Sequence, residues 1–310
     1  MARILVTPRS VTRDGHPALE DLRAAGHEVV FSTPGRQPLE PELLEKLPGC
    51  AGYLAGVEPV SARVLEAARG LQVISRNGTG ISNIDLEAAA RLGIQVLRTP
   101  GANARGVAEL TLGLMLALAR SIPFSDAAIK AGGWERRRGI ELEGRILGVF
   151  GCGAIGRQVA GFGVALGMKV LGCDVVEDAA FAAGLPGFEY MPMDALLARA
   201  DILTLHCPST GTGKPLLDAA AFARIRKNVL LVNTARADLV DTEALLAALE
   251  QGRVAGAAFD VFDPEPPVDQ PLVRHPRVIA TPHIGGFTTE SVDRAMQGAV
   301  DNLVAFLGNT

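Results

Sequence analysis

The chain has 310 residues, with 30 Lys+Arg against 34 Asp+Glu, a formal net charge of −4. At 48 % hydrophobic and 21 % charged residues it is an ordinary globular composition rather than a disordered one. The mildly acidic balance lacks the basic excess that a nucleic-acid partner favours, and the length suits about two domains.

The first 30 residues do not read as a signal peptide, because Arg3, Arg9, Arg13 and Asp14 interrupt any apolar run. Strands are predicted over 3–7, 28–31, 52–55, 71–75 and 94–97, and helices over 17–25, 41–47, 61–68 and 86–92. Asp85 is placed to cap the last of these helices. Such alternation predicts a parallel sheet covered on both faces. From Asn103 to about Ala131 a long helix is expected, broken at Pro123. Its most apolar part, 107–119, contains Glu109 and Thr111 and is shorter than the ~20 residues that span a bilayer. A buried helix is the better reading, and no membrane partner is expected. The basic run Arg136-Arg137-Arg138 reads as a solvated turn, the alternative being a role beside an anionic substrate of a neighbouring subunit.

Alternation then resumes. Strands are predicted over 146–150, 169–173, 202–205, 229–232, 256–259 and 278–280, helices over 154–166, 193–198 and 242–251, and a closing helix over 290–307. The four cysteines, Cys50, Cys152, Cys173 and Cys207, form no CxxC pair and read as buried small hydrophobes of a reducing, cytoplasmic compartment. Cys207, which follows an apolar strand, is the best of them for a catalytic thiol. No metal is expected, since the five His lack zinc-ligand spacing.

The strongest local motif is Gly151-Cys152-Gly153-Ala154-Ile155-Gly156 between a strand and a helix. In that context GxGxxG binds a dinucleotide: Gly151 permits a tight turn, Gly153 lets pyrophosphate approach the backbone, and Gly156 lets helix and strand pack. The free N–H groups at the helix start, from Ala154 and Ile155 on, then face the phosphates. Asp174 ends the next strand, where an acid accepts both ribose hydroxyls and disfavours a 2′-phosphate, so NAD is the predicted cofactor. Arg157 is the one cation nearby, and it is expected to face the pyrophosphate or solvent.

Later strand ends carry His206-Cys207-Pro208, Asn233-Thr234-Ala235-Arg236, Asp260, and Thr281-Pro282-His283-Ile284-Gly285-Gly286. An Arg matches a carboxylate bidentately, and a His exchanges protons near neutral pH. These groups suit hydride transfer at a carbon that bears oxygen beside a carboxylate. The residues alone leave His206 and His283 as competing acid/base groups. They also leave Asp260, Asp263 and Glu265 as possible partners.

The ordered segments 73–86, 103–110, 151–156, NTAR (233–236), FDVFDPEP (259–266) and TPHIGG (281–286) resemble the D-specific 2-hydroxyacid dehydrogenases over nearly the whole chain. Within them the likeness is to the short phosphoglycerate-dehydrogenase and hydroxypyruvate/glyoxylate-reductase branch. The resemblance implies an α/β fold of two Rossmann-like or flavodoxin-like domains with parallel sheets and an interdomain active-site cleft that closes on substrate. The substrate domain would comprise 1–98 plus 287–310, and the NAD-binding domain 99–286. It also implies a homodimer.

By the same resemblance Arg236 would bind the substrate carboxylate, His283 would be the acid/base, and Glu265 its partner, leaving His206 structural or lining the cofactor pocket with Cys207. Asp260 would meet the nicotinamide carboxamide, with Thr234 and Ala235 along the same wall and Gly285 and Gly286 beyond His283. Thr79 would contact cofactor, backbone around Asn77 and Gly78 would grip the substrate carboxylate, and Asn103 would lie near the substrate. Three departures stand out: Ala237-Asp238 in place of Gly-Gly, Ser82 in place of Asp, and a 55–58 loop without the arginine that phosphoglycerate enzymes often place there. Ending at 310, the chain is expected to carry no appended regulatory domain. The alternatives in view are an NADH-sensing binding protein and a formate-dehydrogenase-like enzyme. The first would need none of Arg236, Glu265 and His283, and the second has an amide in place of Glu265.

Overall fold

The computed structural model describes residues 1–308. Residues 309 and 310, the end of the segment assigned from sequence to the substrate domain, lie outside the described residues. The chain divides into two compact units, Met1–Asn103 with the segment from Thr288 on, and Ala104–Phe287.

In the first unit, β1 (Arg3–Val6), β2 (Glu28–Phe31), β3 (Gly52–Ala55), β4 (Val73–Arg76) and β5 (Gln95–Leu97) form one sheet in the order β2-β1-β3-β4-β5. All its pairings are parallel. Alternate residues of one strand serve opposite faces, the period-two geometry of extended chain. Leu5 packs with Leu43, Val64 and Ile74, whereas Ile4 and Val6 pack with Leu22, Met296, Val300 and Leu303. The closing helix Thr289–Gly308 therefore belongs to this sheet. A Cβ on Gly52 would sit 3.2 Å from both Ile4 and Leu307, so glycine is what lets the helix approach β3. Asp85 caps the helix Leu86–Arg91 by accepting from Ala88 N–H at 2.9 Å.

The second unit holds β6 (Ile146–Phe150), β7 (Lys169–Cys173), β8 (Phe188–Tyr190), β9 (Ile202–Leu205), β10 (Val229–Asn233), β11 (Val254–Phe259) and β12 (Val278–Ala280). Their order is β12-β11-β10-β9-β6-β7-β8, again parallel throughout. The strand order reverses direction between β6 and β9, which is where open α/β sheets of this kind bind ligands. One face of the sheet is covered by the helices Ala104–Arg120 and Ala154–Ala165 through Ala108, Met115, Val159 and Ala160. The other packs Leu196, Phe222 and Leu245 against Phe150, Leu203 and Leu231.

The break expected near Pro123 falls at Ser121, which takes φ 51° between the helices Ala104–Arg120 and Ile122–Lys130. The two axes bend by 63° there. Among the described residues no single helix is long and apolar enough to cross a membrane. Val107, Leu114 and Met115 of the first helix are buried in the core, as its apolar run predicts.

Candidate active site

The residues picked out in the second unit line up along the carboxyl ends of its strands. At β6, Gly151 takes φ 85°, and a Cβ there would lie 2.5 Å from the Cys207 nitrogen. A Cβ on Gly156 would collide with the Gly151 carbonyl, whereas one on Gly153 would meet nothing within 4 Å. The three glycines thus divide into two that packing demands and one that faces open space. Gly153 is the N-cap of Ala154–Ala165 and brings no side chain to the first free N–H groups. Open space in front of uncapped amides is what a pyrophosphate needs.

Asp174 lies beside this turn. One carboxylate oxygen accepts from Cys152 N–H at 2.5 Å and the other from Val176 N–H at 3.3 Å. Arg157 is exposed to solvent, as its place in the first helical turn suggests, but its guanidinium is engaged within the chain. Its Nε donates to the Cys152 carbonyl at 3.0 Å, its guanidinium pairs with Asp178 at 2.8 Å, and it lies over the Phe181 ring. The acid at 178, which caps the short helix Ala179–Gly184, is what turns it.

At β9 the structure separates the two histidines. His206 is partly exposed as a residue, but its Nδ1 is buried without a hydrogen-bond partner. Its Nε2 lies 2.9 Å from the Thr204 hydroxyl. Burial pulls its pKa down to about 3. The same burial pushes Cys152 up to about 12 and Cys207 up to about 11, so both thiols stay protonated at neutral pH. That argues against a thiolate nucleophile at 207.

A histidine held neutral in the fold but titrating near ~6.5 when unfolded has a defined pH signature. Its stabilising contribution is complete above about pH 6.5 and is lost as pH falls toward the folded value. His206→Asn is expected to flatten the fall in unfolding free energy between pH 7 and 4, by up to ~1.4 kcal/mol per pH unit. Urea titrations at several pH values measure this. An unchanged slope would mean that the ring protonates inside the fold.

At the end of β10, Asn233 is fully buried and clamps the turn that follows. Its Nδ2 donates to the Arg236 carbonyl at 2.8 Å, and its Oδ1 accepts from Ala235 N–H at 3.0 Å. Thr234 is also buried, its hydroxyl 3.0 Å from that of Thr111. Arg236 emerges exposed from this fixed turn, donating to the Ala235 carbonyl at 2.6 Å. Asn233 carries no role in the motif reading; the available signal was a polar residue ending four apolar ones.

Glu265 and His283 meet at β11 and β12. His283 Nδ1 lies 3.0 and 2.9 Å from the two Glu265 oxygens, and Glu265 Oε1 also accepts from Phe262 N–H at 3.0 Å. His283 takes φ 54°, a left-handed conformation uncommon outside glycine. Asp260 holds it there. This carboxylate is 1 % exposed and accepts from Thr281 Oγ1 at 2.6 Å, Ile284 N–H at 2.9 Å and Gly285 N–H at 2.8 Å. A Cβ on Gly285 would lie 3.0 Å from that carboxylate, so the turn closes tightly over it. The visible work of Asp260 is to shape the 281–285 turn; a nicotinamide amide would have to share Oδ2 with Gly285.

In the first unit, Gly78 follows β4 at φ 141°, and a Cβ there would lie 2.7 Å from Arg76 Nη1. The Thr79 hydroxyl lies 3.2 Å from Asn103 Oδ1 and 3.3 Å from the Thr99 carbonyl. Asn77 Oδ1 is buried without a partner.

A doubly wound parallel sheet, a glycine-rich turn with an acid at the next strand end, and a carboxylate–histidine pair in the same row define a nucleotide-dependent oxidoreductase class of site. A family model narrows this: the D-isomer specific 2-hydroxyacid dehydrogenase NAD-binding domain matches residues 112–285, and the chain belongs to that family. It is 43 % identical over 256 residues to D-3-phosphoglycerate dehydrogenase of Rattus norvegicus, covering 82 % of this chain and 48 % of that one. It is 40 % identical over 254 residues to hydroxypyruvate reductase of Thermotoga maritima, covering 80 % and 82 %. The TT0316 protein of Thermus thermophilus has a similar structure, with TM-score 0.88 and 37 % identity over 99 % of this chain and 97 % of that one. The chain spans about half the length of the phosphoglycerate dehydrogenases it matches.

Proposed function

We propose that this chain is an NAD-dependent dehydrogenase that interconverts a small D-2-hydroxy acid and its 2-keto acid. The observation that carries the reading is the Glu265–His283 pair, set by a buried Asp260 in the strand-end row that also presents Arg236. The unit Ala104–Phe287 would be the NAD-binding domain and the other unit the substrate domain.

NAD, when bound, supplies hydride exchange at its nicotinamide. Gly151, Gly153, Ala154, Ile155 and Gly156 would hold its pyrophosphate, and Asp174 its adenosine ribose. Cys207, Thr234, Ala235, Asp260, Gly285, Gly286 and Thr79 would complete its surroundings. Arg236 orients the substrate carboxylate, with backbone at Asn77 and Gly78 adding donors and Asn103 nearby. In keto-acid reduction the His283 ring gives a proton to the forming alkoxide; in oxidation it takes the hydroxyl proton. Glu265 fixes the ring through Nδ1, leaving Nε2 for the substrate oxygen, and stabilises its positive charge. A homodimer fits the solvent-facing apolar groups Ile122, Ile129 and Trp134, the last 77 % exposed, and the four free cysteines fit a reducing cytoplasm.

A panel of 2-keto acids reduced at fixed NADH, followed by NADH absorbance, tests the reading. NADH binding without turnover of any of them would point to a sensor instead. Cofactor choice is a separate expected result. A 2′-phosphate at Asp174 would meet a like charge, and Arg157 is already committed to Asp178. NADH is therefore expected to exceed NADPH in kcat/KM by ~100-fold, about 2.7 kcal/mol. Equal values on the same keto acid would show that Asp174 does not sit at the ribose.

A further inference from the structure

The carboxyl ends of β1, β3 and β4 gather polar groups that the reading above leaves unused. Glu58 is an acidic side chain that is only 1 % exposed. Its Oε1 accepts from the Thr7 hydroxyl, from the Tyr53 hydroxyl at 2.6 Å and from the Gly56 N–H at 2.9 Å. Asn83 ties the same loop down by donating to the Glu58 carbonyl at 2.7 Å. A Cβ on Gly56 would fall 2.6 Å from Glu58 Oε2 and 3.3 Å from Pro8 Cα. No side chain, cationic or otherwise, can stand at 56 while Glu58 keeps this place.

Arg76 ends β4, paired in register with Ala55 at the end of β3. Burial pulls its pKa below the ordinary value, and the charge of Glu58 opposes that effect, so the two sense each other. The guanidinium also donates to the Asn77 carbonyl. Arg76 thus lies directly before the Asn77–Gly78 turn proposed to hold the substrate carboxylate, with its Nε buried and without a hydrogen-bond partner. The hydroxyls and the amide that could bind a second anion are turned onto Glu58. A phosphoryl group carries about −1.5 to −2 charges near neutral pH and three strong acceptor oxygens. It would need free donors and excess positive charge, and here it would meet a like charge in a poorly screened setting.

We infer that Glu58 sets the substrate class at this end of the site: the chain takes a small unphosphorylated 2-keto acid, of the hydroxypyruvate or glyoxylate type, and rejects a phosphorylated one. The inference rests on the dehydrogenase reading. It sets this chain apart from the phosphoglycerate dehydrogenases it resembles in sequence.

The test compares kcat/KM for hydroxypyruvate, glyoxylate and 3-phosphohydroxypyruvate with NADH, in the wild type and in Glu58→Gln. The wild type is expected to favour the better unphosphorylated acid by ~30-fold or more, and Glu58→Gln, nearly equal in size but uncharged, to shrink that ratio ~10-fold with an unchanged KM for NADH. Tyr53→Phe removes a donor but keeps the charge, and is expected to leave the ratio in place. A wild-type preference for the phosphorylated acid overturns the inference and leaves the dehydrogenase reading standing. So does an unmoved ratio in a folded Glu58→Gln. The wild-type ratio decides alone if that variant does not fold. No turnover of any keto acid despite NADH binding removes the dehydrogenase reading, and the inference with it.

Discussion

His283→Asn is expected to lower kcat/KM for keto-acid reduction by ~10³-fold, about 4 kcal/mol, with NADH affinity little changed. Asparagine is chosen because position 283 has φ 54°, and Asn tolerates the left-handed region better than most residues. The Asp260 bonds to Ile284 and Gly285 use backbone donors and survive the change. What disappears is a ring that can carry a proton. Adding Glu265→Gln to this variant is expected to cost little more, because the carboxylate acts through the ring it holds at 2.9 Å. Steady-state rates and NADH fluorescence titrations on the two variants measure this. A loss below ~10-fold, with the fold intact, would mean that the proton comes from another group.

The second large effect is expected at Arg236. Its guanidinium is exposed, and its hydrogen bond to the Ala235 carbonyl is local, so truncation leaves the Asn233 clamp whole. Arg236→Ala is therefore expected to change stability by no more than ~0.5 kcal/mol. Activity is expected to fall by at least ~100-fold in kcat/KM, roughly 3 kcal/mol, since a charge-assisted bidentate contact to the substrate carboxylate is lost. Lys restores the charge but not the planar fork, so partial rescue is expected. Near-normal kcat/KM in Arg236→Ala would remove this residue from the substrate site.

Much of the secondary structure is legible from local pattern. The strands Glu28–Phe31, Gly52–Ala55, Ile146–Phe150, Lys169–Cys173, Ile202–Leu205 and Val278–Ala280 fall where the apolar runs place them. Four short helices escape that reading: Arg9–Asp14, Ala179–Gly184, Ala219–Arg224 and Pro271–Arg274, with the edge strand Phe188–Tyr190. Each helix is under two turns, too short for a 3.6-residue period to show. Two carried a different signal, an aspartate N-cap at 178 and at 218. The Asp178 cap matters for chemistry, because it also pairs with the Arg157 guanidinium while Arg157 Nε bonds the glycine-rich turn at the Cys152 carbonyl.

The candidate site divides in the same way. Gly151, Gly153, Gly156 and Asp174 are legible because a fingerprint loop needs those residue types at fixed spacing between a strand and a helix. The rest depended on contacts between residues far apart in the chain. The residue types at 206 and 283 are identical; the family resemblance favours His283, and the physical distinction is the buried Nδ1 of one and the Glu265 contact of the other. Asp260 reads in sequence as an open carboxylate at a strand end, but the turn 21 to 25 residues further on closes over it. The 55–58 loop stands out in sequence only for a missing arginine, yet the end of β1 brings Thr7 to Glu58 from 51 residues away. By itself the sequence determined the strands and longer helices, the nucleotide fingerprint and the residue types available at each strand end, because these follow from periodicity and local spacing. Tertiary structure alone decided which of those residues are enclosed, which are paired and which stay open to a ligand, because burial and hydrogen bonding depend on the neighbours that the parallel sheets bring together.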